Sequence, residues 1–186
     1  LQNVAVGAAE ITGLMHDELY AYCVKASVEG EFVTIAIQYA EKHFAISGTE
    51  RAVESLVALL QEREEVEISP LKSGIGLHSM LMDQIKEKLS VCMEKIDCKT
   101  TTIPLISGLD GALVYNAMDI KKRMLDQLTE PFLCQAIVEK IAEFDLIVVI
   151  GNVSPFHELI KNAYPHKTVM TVKKNSDIQT LKAVFI

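Results

Sequence analysis

Apolar positions recur at two spacings along the chain, and the switches between them mark out its elements. Asn3 to Ile11 is small and apolar, as a strand is, and Asp17 to Ala26 carries Leu19, Tyr20, Cys23 and Val24 on one helical stripe that ends before Gly30. Phe32 to Ile37 and His43 to Ser47 are β-branched and aromatic runs joined by a polar turn at Glu41-Lys42, which predicts a hairpin. Thr49 stands where a helix N-cap is expected, ahead of a stripe of Val53, Leu56, Val57 and Leu60. Glu65 to Ser69 then alternates like a half-exposed strand. The predicted order is βαββαβ, that of a ferredoxin-like split unit, over residues 1–72.

Residues 73–186 predict a second, α/β lobe. Ser79 to Ile96 is expected to be a helix with Leu81, Met82, Ile85, Leu89, Cys92 and Met93 turned inward. Thr102 to Ser107 is an expected strand, with Pro104 favouring an edge or an early position. Helices are predicted over Asp119–Gln127 and Gln135–Phe144, on either side of Pro131. Asp145 to Ile150 is expected to be a strand buried on both faces, followed by a Gly151-Asn152 turn and a helix opening at Pro155. Thr168 to Val172 alternates as a strand, and Ser176 is placed to cap a last helix.

Composition narrows the possibilities. A chain of 186 residues, 49% hydrophobic and 23% charged, can bury a core without covalent staples. Its apolar runs, Leu146 to Ile150 among them, are far short of the ~20 residues of a membrane helix, so no membrane partner is expected. The net charge of −7 is concentrated in residues 1–79, which carry twelve Asp and Glu against five Lys and Arg. That balance excludes nucleic acid as a partner, because phosphate binding needs a basic surface. The clusters Lys121-Lys122-Arg123 and Lys173-Lys174 are read as solvated faces, with an acidic partner as the alternative. Cys23, Cys92, Cys98 and Cys134 form no C-x-x-C pair and read as buried free thiols in a reducing, cytoplasmic compartment. The five histidines show no metal-ligand spacing, so neither a metal nor another cofactor is expected. Leu1 in place of an initiating Met reads as the start of an excised or processed segment.

The candidate chemistry lies at the seam of the two lobes, in Gly74-Ile75-Gly76-Leu77-His78-Ser79. There an extended segment gives way to a helix, a place where an imidazole can be held firmly with one nitrogen free to accept a proton. The chain holds no G-x-S-x-G elbow to serve as its nucleophile, since Ser47 and Thr49 sit at element ends.

Five segments together resemble the malonyl-CoA:acyl-carrier-protein transacylase family, which includes the acyltransferase domains of polyketide and fatty-acid synthases. Ile46-Ser47-Gly48 resembles the family's V-I-S-G strand end, and Leu77-His78-Ser79 with Leu81-Met82 resembles its H-S-x-L-M segment. Ile103 to Ser107 resembles I-P-V-x-S, Gln127-Leu128 with Pro131 resembles Q-L-x-x-P, and Val149 to Ile160 runs without gaps against E-V-G-P-G-x-x-L-x-x-L-I. The resemblance covers nearly all of this chain and about the C-terminal two-thirds of the family's domain. It implies a ferredoxin-like small lobe followed by the C-terminal part of an α/β-hydrolase-like acyltransferase lobe.

It also implies a function and a set of site residues. A malonyl-type acyl group would pass from CoA to the phosphopantetheine thiol of an acyl carrier protein by Ser-His ping-pong chemistry, with His78 as the catalytic base. The Ser, the carboxylate-binding Arg and the oxyanion-site Gln would belong to an N-terminal segment of the same domain, upstream of Leu1. The chain alone is therefore expected to be inactive. Ile75, Gly76 and Leu77 occupy the family's acyl-specificity positions, where bulky Leu77 favours a small unbranched acyl unit. Gly151 and Asn152 stand in the turn that orients the His, of whose two glycines only Gly151 remains, Val153 replacing the second. The family's N-S-P-G-Q hairpin is replaced by Tyr39-Ala40-Glu41-Lys42-His43. Such departures also fit a non-catalytic acyltransferase-like module that docks a carrier protein, and, more distantly, a small-molecule-binding ferredoxin-like domain.

Overall fold

A computed structural model describes residues 5–71, 76, 78–151 and 155–184. The chain is a mixed α/β protein that divides into two compact units, Leu1–Gln135 and Ala136–Ile186. The first opens with β1 (Val6–Thr12), α1 (His16–Ala26), β2 (Val33–Ala40), β3 (His43–Thr49), α2 (Glu50–Leu60) and β4 (Glu67–Pro70), the element order read from the sequence. These four strands are antiparallel in the order β4-β1-β3-β2. Register sets one face of the sheet. Ala9 pairs with Ile46 and Ile11 with Phe44, so each pair presents its side chains together. Those side chains join Leu19 and Cys23 of α1 and Leu56 and Leu60 of α2 in one buried cluster. Removing a side chain the size of Phe44 or Leu56 from water stabilises the fold by about 1.5–3 kcal/mol each.

Thr49 does precede α2, but its side chain makes no capping bond. Its Oγ1 instead accepts from Phe32 N at 3.2 Å, so the threonine ties β3 to the start of β2. The sheet also continues beyond β2. A two-residue strand, β7 (Phe132–Leu133), adds in parallel, pairing Phe132 with Ile37 and Leu133 with Gln38.

Between β4 and β7 come a 3-10 turn (Met80–Met82), α3 (Asp83–Glu94), β5 (Leu105–Ile106), β6 (Leu113–Val114) and α4 (Ala117–Asp126). The strand expected over residues 102–107 shortens to β5, which forms a hairpin with β6. Local bonding competes with the ladder at its start. Thr101 Oγ1 accepts from Ile103 N at 3.1 Å and donates to Ile103 O at 2.9 Å, and Pro104 has no amide to offer. Helix α4 begins before Asp119 because Asn116 Oδ1 caps it, accepting from Met118 N at 2.7 Å.

The inward stripe expected on α3 is only partly realised. Met82 and Met93 are buried, whereas Cys92 is exposed and Ile85 is 39% exposed. Cys23 and Cys134 are buried and Cys98 is half-buried, all as free thiols. The Lys121-Lys122-Arg123 cluster is only partly a solvated face: Lys122 is 75% exposed, whereas Lys121 and Arg123 are half-buried and bonded within the fold. Lys121 Nζ donates to Met93 O at 2.8 Å and to Ile96 O, closing the C-terminal end of α3. Lys122 and Lys86 both pair with Asp126, and Arg123 Nη1 donates to Ser107 Oγ at 2.8 Å and Asp110 Oδ1 at 2.7 Å.

Helix α5 (Cys134–Ile141) runs across the division between the units. The second unit contains β8 (Leu146–Ile150), α6 (Pro155–Ala163), β9 (Thr168–Val172) and α7 (Asn175–Val184), with β8 and β9 parallel from Leu146↔Thr168 to Ile150↔Val172. β8 was expected to be buried on both faces. It is half-buried, and Ile150 is 85% exposed, because β9 is its one hydrogen-bonded neighbour among the described residues. No helix among the described residues is long and apolar enough to cross a membrane.

Candidate active site

His78 follows buried Gly76 and precedes the 3-10 turn that leads into α3. Its φ is +56°, in the left-handed region that an ordinary side chain occupies only when its surroundings impose it. The half-buried ring is fixed on two sides. Nδ1 lies 2.6 Å from Gln127 O, and the ring meets that of Phe132 at a centroid distance of 5.5 Å and a tilt of 39°.

Gln127 is the C-cap residue of α4, so its carbonyl is one of those a helix end leaves without an intrahelical partner. A carbonyl only accepts hydrogen bonds, so Nδ1 must carry the proton. In the neutral ring, Nε2 therefore holds the lone pair. Burial pushes the pKa of His78 below its ordinary value, outweighing the backbone of Gln127 and Glu130, which favour the charged form. The ring is accordingly neutral at neutral pH, as a general base must be before it takes a proton.

Phe132 reaches His78 because β7 is pinned from two directions. It pairs with β2, and Leu133 N donates to Gly108 O at 2.6 Å. Gly108 allows this approach, since a Cβ there would lie 2.1 Å from Cε2 of the Phe132 ring.

The expected site residues fall in different places. His78 and Gly76 lie together in the first unit. Ile75 and Leu77 are outside the described residues, as is Asn152 with Val153. Gly151 lies in the second unit at the end of β8, with φ +106° and its amide donating to Val172 O at 2.9 Å. A side chain would be strained at that φ, which accounts for glycine there.

Three neighbours of the site were not assigned to it from the sequence, although Gln127 stands in the Q-L-x-x-P resemblance. Gln127 acts through its backbone, which any residue supplies, so the motif that contains it gave no sign of the contact with His78. Phe132 and Gly108 act through tertiary contact. The Tyr39–His43 segment forms a separate cluster, with ring centroids 4.6 Å apart and His43 Nε2 3.5 Å from Glu10 Oε2. Burial, with Glu10 and Cys134 nearby, holds the Tyr39 phenol above its ordinary pKa. Among the described residues no group of three or more His, Cys, Asp or Glu is arranged to hold a metal ion.

No family model matches the chain. It is 29% identical over 144 residues to the malonyl CoA-acyl carrier protein transacylase of Bacillus subtilis, in an alignment covering 75% of this chain and 45% of that protein. The solved malonyl CoA-acyl carrier protein transacylase of Clostridium perfringens shares its fold with a TM-score of 0.86 at 18% identity, over 100% of this chain and 58% of that one. A malonyl-transacylase solved in complex with its type II polyketide synthase acyl-carrier protein matches with a TM-score of 0.85 at 21% identity, over 97% of this chain and 59% of that one. The similarity to malonyl-CoA:acyl-carrier-protein transacylases read from the motifs therefore holds in sequence and in fold. The chain spans about half the length of the curated relatives it matches.

Proposed function

We propose that this chain is the base-bearing part of an acyltransferase. In this reading a malonyl-type acyl group moves from CoA to the phosphopantetheine thiol of an acyl carrier protein, in the cytoplasm. The observation that carries the reading is the His78 imidazole, neutral and locked through Nδ1 to a backbone carbonyl, with Nε2 as the proton acceptor. A Ser on the N-terminal segment of the same domain is the nucleophile. Nε2 takes the Ser proton as Oγ attacks the thioester carbonyl, and the resulting imidazolium returns that proton to the departing CoA sulfur, leaving an acyl-serine. The same nitrogen then takes the proton of the carrier thiol as its sulfur attacks the acyl-serine, and gives it back to Ser Oγ when that bond breaks. The reaction needs neither metal nor cofactor of the chain's own.

The remaining assignments follow from the same reading. The strand order β4-β1-β3-β2 with two helices supports a ferredoxin-like small lobe over residues 1–72. Residues 73–186 are then the C-terminal part of an α/β-hydrolase-like lobe. Ile75, Gly76 and Leu77 adjoin the base and are assigned to acyl-group discrimination, worth about 1–3 kcal/mol per methylene in an apolar pocket. Gly151 and Asn152 are assigned to the turn that orients the imidazole.

The test joins the chain, covalently or in trans, to a nucleophile-bearing segment and incubates it with malonyl-CoA. Mass spectrometry should find a malonyl-serine on that segment and none on the chain alone, and a holo carrier protein should then discharge it. His78→Ala should slow acylation by about 10²–10⁴-fold, the usual contribution of a general base. Equal labelling with and without the imidazole would refute the role of His78. Labelling on the isolated chain would refute the assignment of the nucleophile.

A further inference from the structure

Ser79 is wholly buried, and its hydroxyl is used in an unusual direction. It occupies the N-cap position of the 3-10 turn Met80–Met82, where a serine ordinarily accepts a hydrogen bond from an amide of the first turn. No such bond is made. The hydroxyl donates backwards instead, to Gly76 O at 2.6 Å, while the Ser79 carbonyl accepts from Met82 N at 3.0 Å. The backward bond closes a short loop with His78 inside it, and the forward bond ties the same residue to the start of α3. Gly76 also lies close against Leu81, since a Cβ there would lie 2.5 Å from Leu81 Cδ1. His78 is thus the left-handed residue of a loop clamped at both ends.

We propose that Ser79 is the positioning residue of His78: its buried hydroxyl holds the Gly76 carbonyl and so imposes the backbone conformation that delivers Nδ1 to Gln127 O and leaves Nε2 as the proton acceptor. The catalytic consequence rests on the acyltransferase reading, whereas the positioning is a property of this chain alone. A serine that served only to satisfy a buried carbonyl would affect stability and leave the ring as it is. The two roles therefore separate in the imidazole itself.

The experiment is nitrogen-15 NMR of the histidine rings in the purified chain, titrated with pH. In the native chain His78 should be protonated on Nδ1 when neutral and should titrate below its ordinary 6.5. In Ser79→Ala the loop relaxes, Gln127 O loses its donor and the ring gains water. His78 should then shift toward the Nε2-protonated tautomer that free imidazole prefers, and its midpoint should rise toward 6.5, while the other histidines stay in place. If Ser79→Ala does not fold, Ser79→Cys keeps a similar volume with a weak donor, and the same shifts are expected in smaller degree. A folded variant whose His78 keeps the native tautomer and midpoint overturns the proposal, whatever its melting temperature. Joined to the nucleophile-bearing segment, Ser79→Ala should lose transfer activity in step with the change in the ring. An altered ring with undiminished transfer would support the positioning and count against His78 as the base. Lost transfer with a native ring would sink the positioning and leave the base standing.

Discussion

Gly108→Ala tests whether the wall behind His78 is as tight as the geometry says. The new Cβ would lie 2.1 Å from Cε2 and 2.6 Å from Cδ2 of Phe132, while carbon atoms in ordinary contact stand about 3.5–4 Å apart. The ring must therefore withdraw by about 1.5 Å, or the strand must move with it. Neither is easy. The ring packs at a tilt against His78, and the backbone that carries it is in register with Ile37 of β2 and bonded to Gly108 O. Overpacking of this kind costs about 1–3 kcal/mol. A loss of about 2 kcal/mol lowers the urea midpoint by about 1 M when the slope is about 2 kcal/mol per M. The assay is urea unfolding followed by circular dichroism, with equal slopes required before midpoints are compared. Phe132→Leu placed on the Gly108→Ala background should recover part of the loss, a non-additivity expected only of side chains that touch. A Gly108→Ala protein within about 0.5 kcal/mol of the native chain would refute the reasoning, because that is the range of surface substitutions.

Two more outcomes follow from the same contacts. The folded chain resists protonating His78, so the unfolded chain binds more protons between the depressed folded pKa and the ordinary 6.5. Stability should thus fall as pH drops through 6.5 toward that lower value, and thermal melts of His78→Gln should show a flatter dependence over the same window. Lys121→Met keeps much of the side chain but removes both bonds to the carbonyls of Met93 and Ile96. It should cost about 1 kcal/mol in urea unfolding, and an unchanged midpoint would mean that these bonds merely replace bonds to water.

The sequence made some of this fold legible because the first six elements obey local rules. Ala9 and Ile11, and Phe44 and Ile46, alternate as half-buried strands must, and Leu19 with Cys23 and Leu56 with Leu60 repeat at helical spacing. Elements held by distant pairing leave little such trace. β7 is two residues long, too short for any period, and exists because β2 offers it an edge. The stripe of α3 was over-read for a related reason. Its apolar residues repeat at helical spacing, but the surface available to the helix takes in Met93 and leaves Cys92 exposed. Basic residues misled in the opposite sense, since Lys121 and Arg123 are spent on carbonyls and on Ser107 and Asp110 within the fold. At the site, the side chain of His78 was visible in the motif, but its partner is a backbone atom at a helix end.

That partner also explains how the imidazole remains a base. A carboxylate at the same position would hold Nδ1–H equally well, but it would also stabilise the imidazolium. Two unit charges 4 Å apart at an effective dielectric constant of about 20 attract by about 4 kcal/mol, enough to raise the pKa by about 3. His78 would then be charged at neutral pH and would have no lone pair to receive a proton. The carbonyl of Gln127 is a dipole, not a charge, and its pull toward the charged form is smaller than the burial that opposes it. It fixes the tautomer and leaves the lone pair of the neutral ring on Nε2. Carrying the carbonyl on the last turn of α4 makes the arrangement firm, because the helix places it and nothing within the helix competes for it. An imidazole oriented in this way depends on the backbone geometry around it, so the proposed action of Ser79 and the close approach at Gly108 would both reach the ring without a hydrogen bond to it.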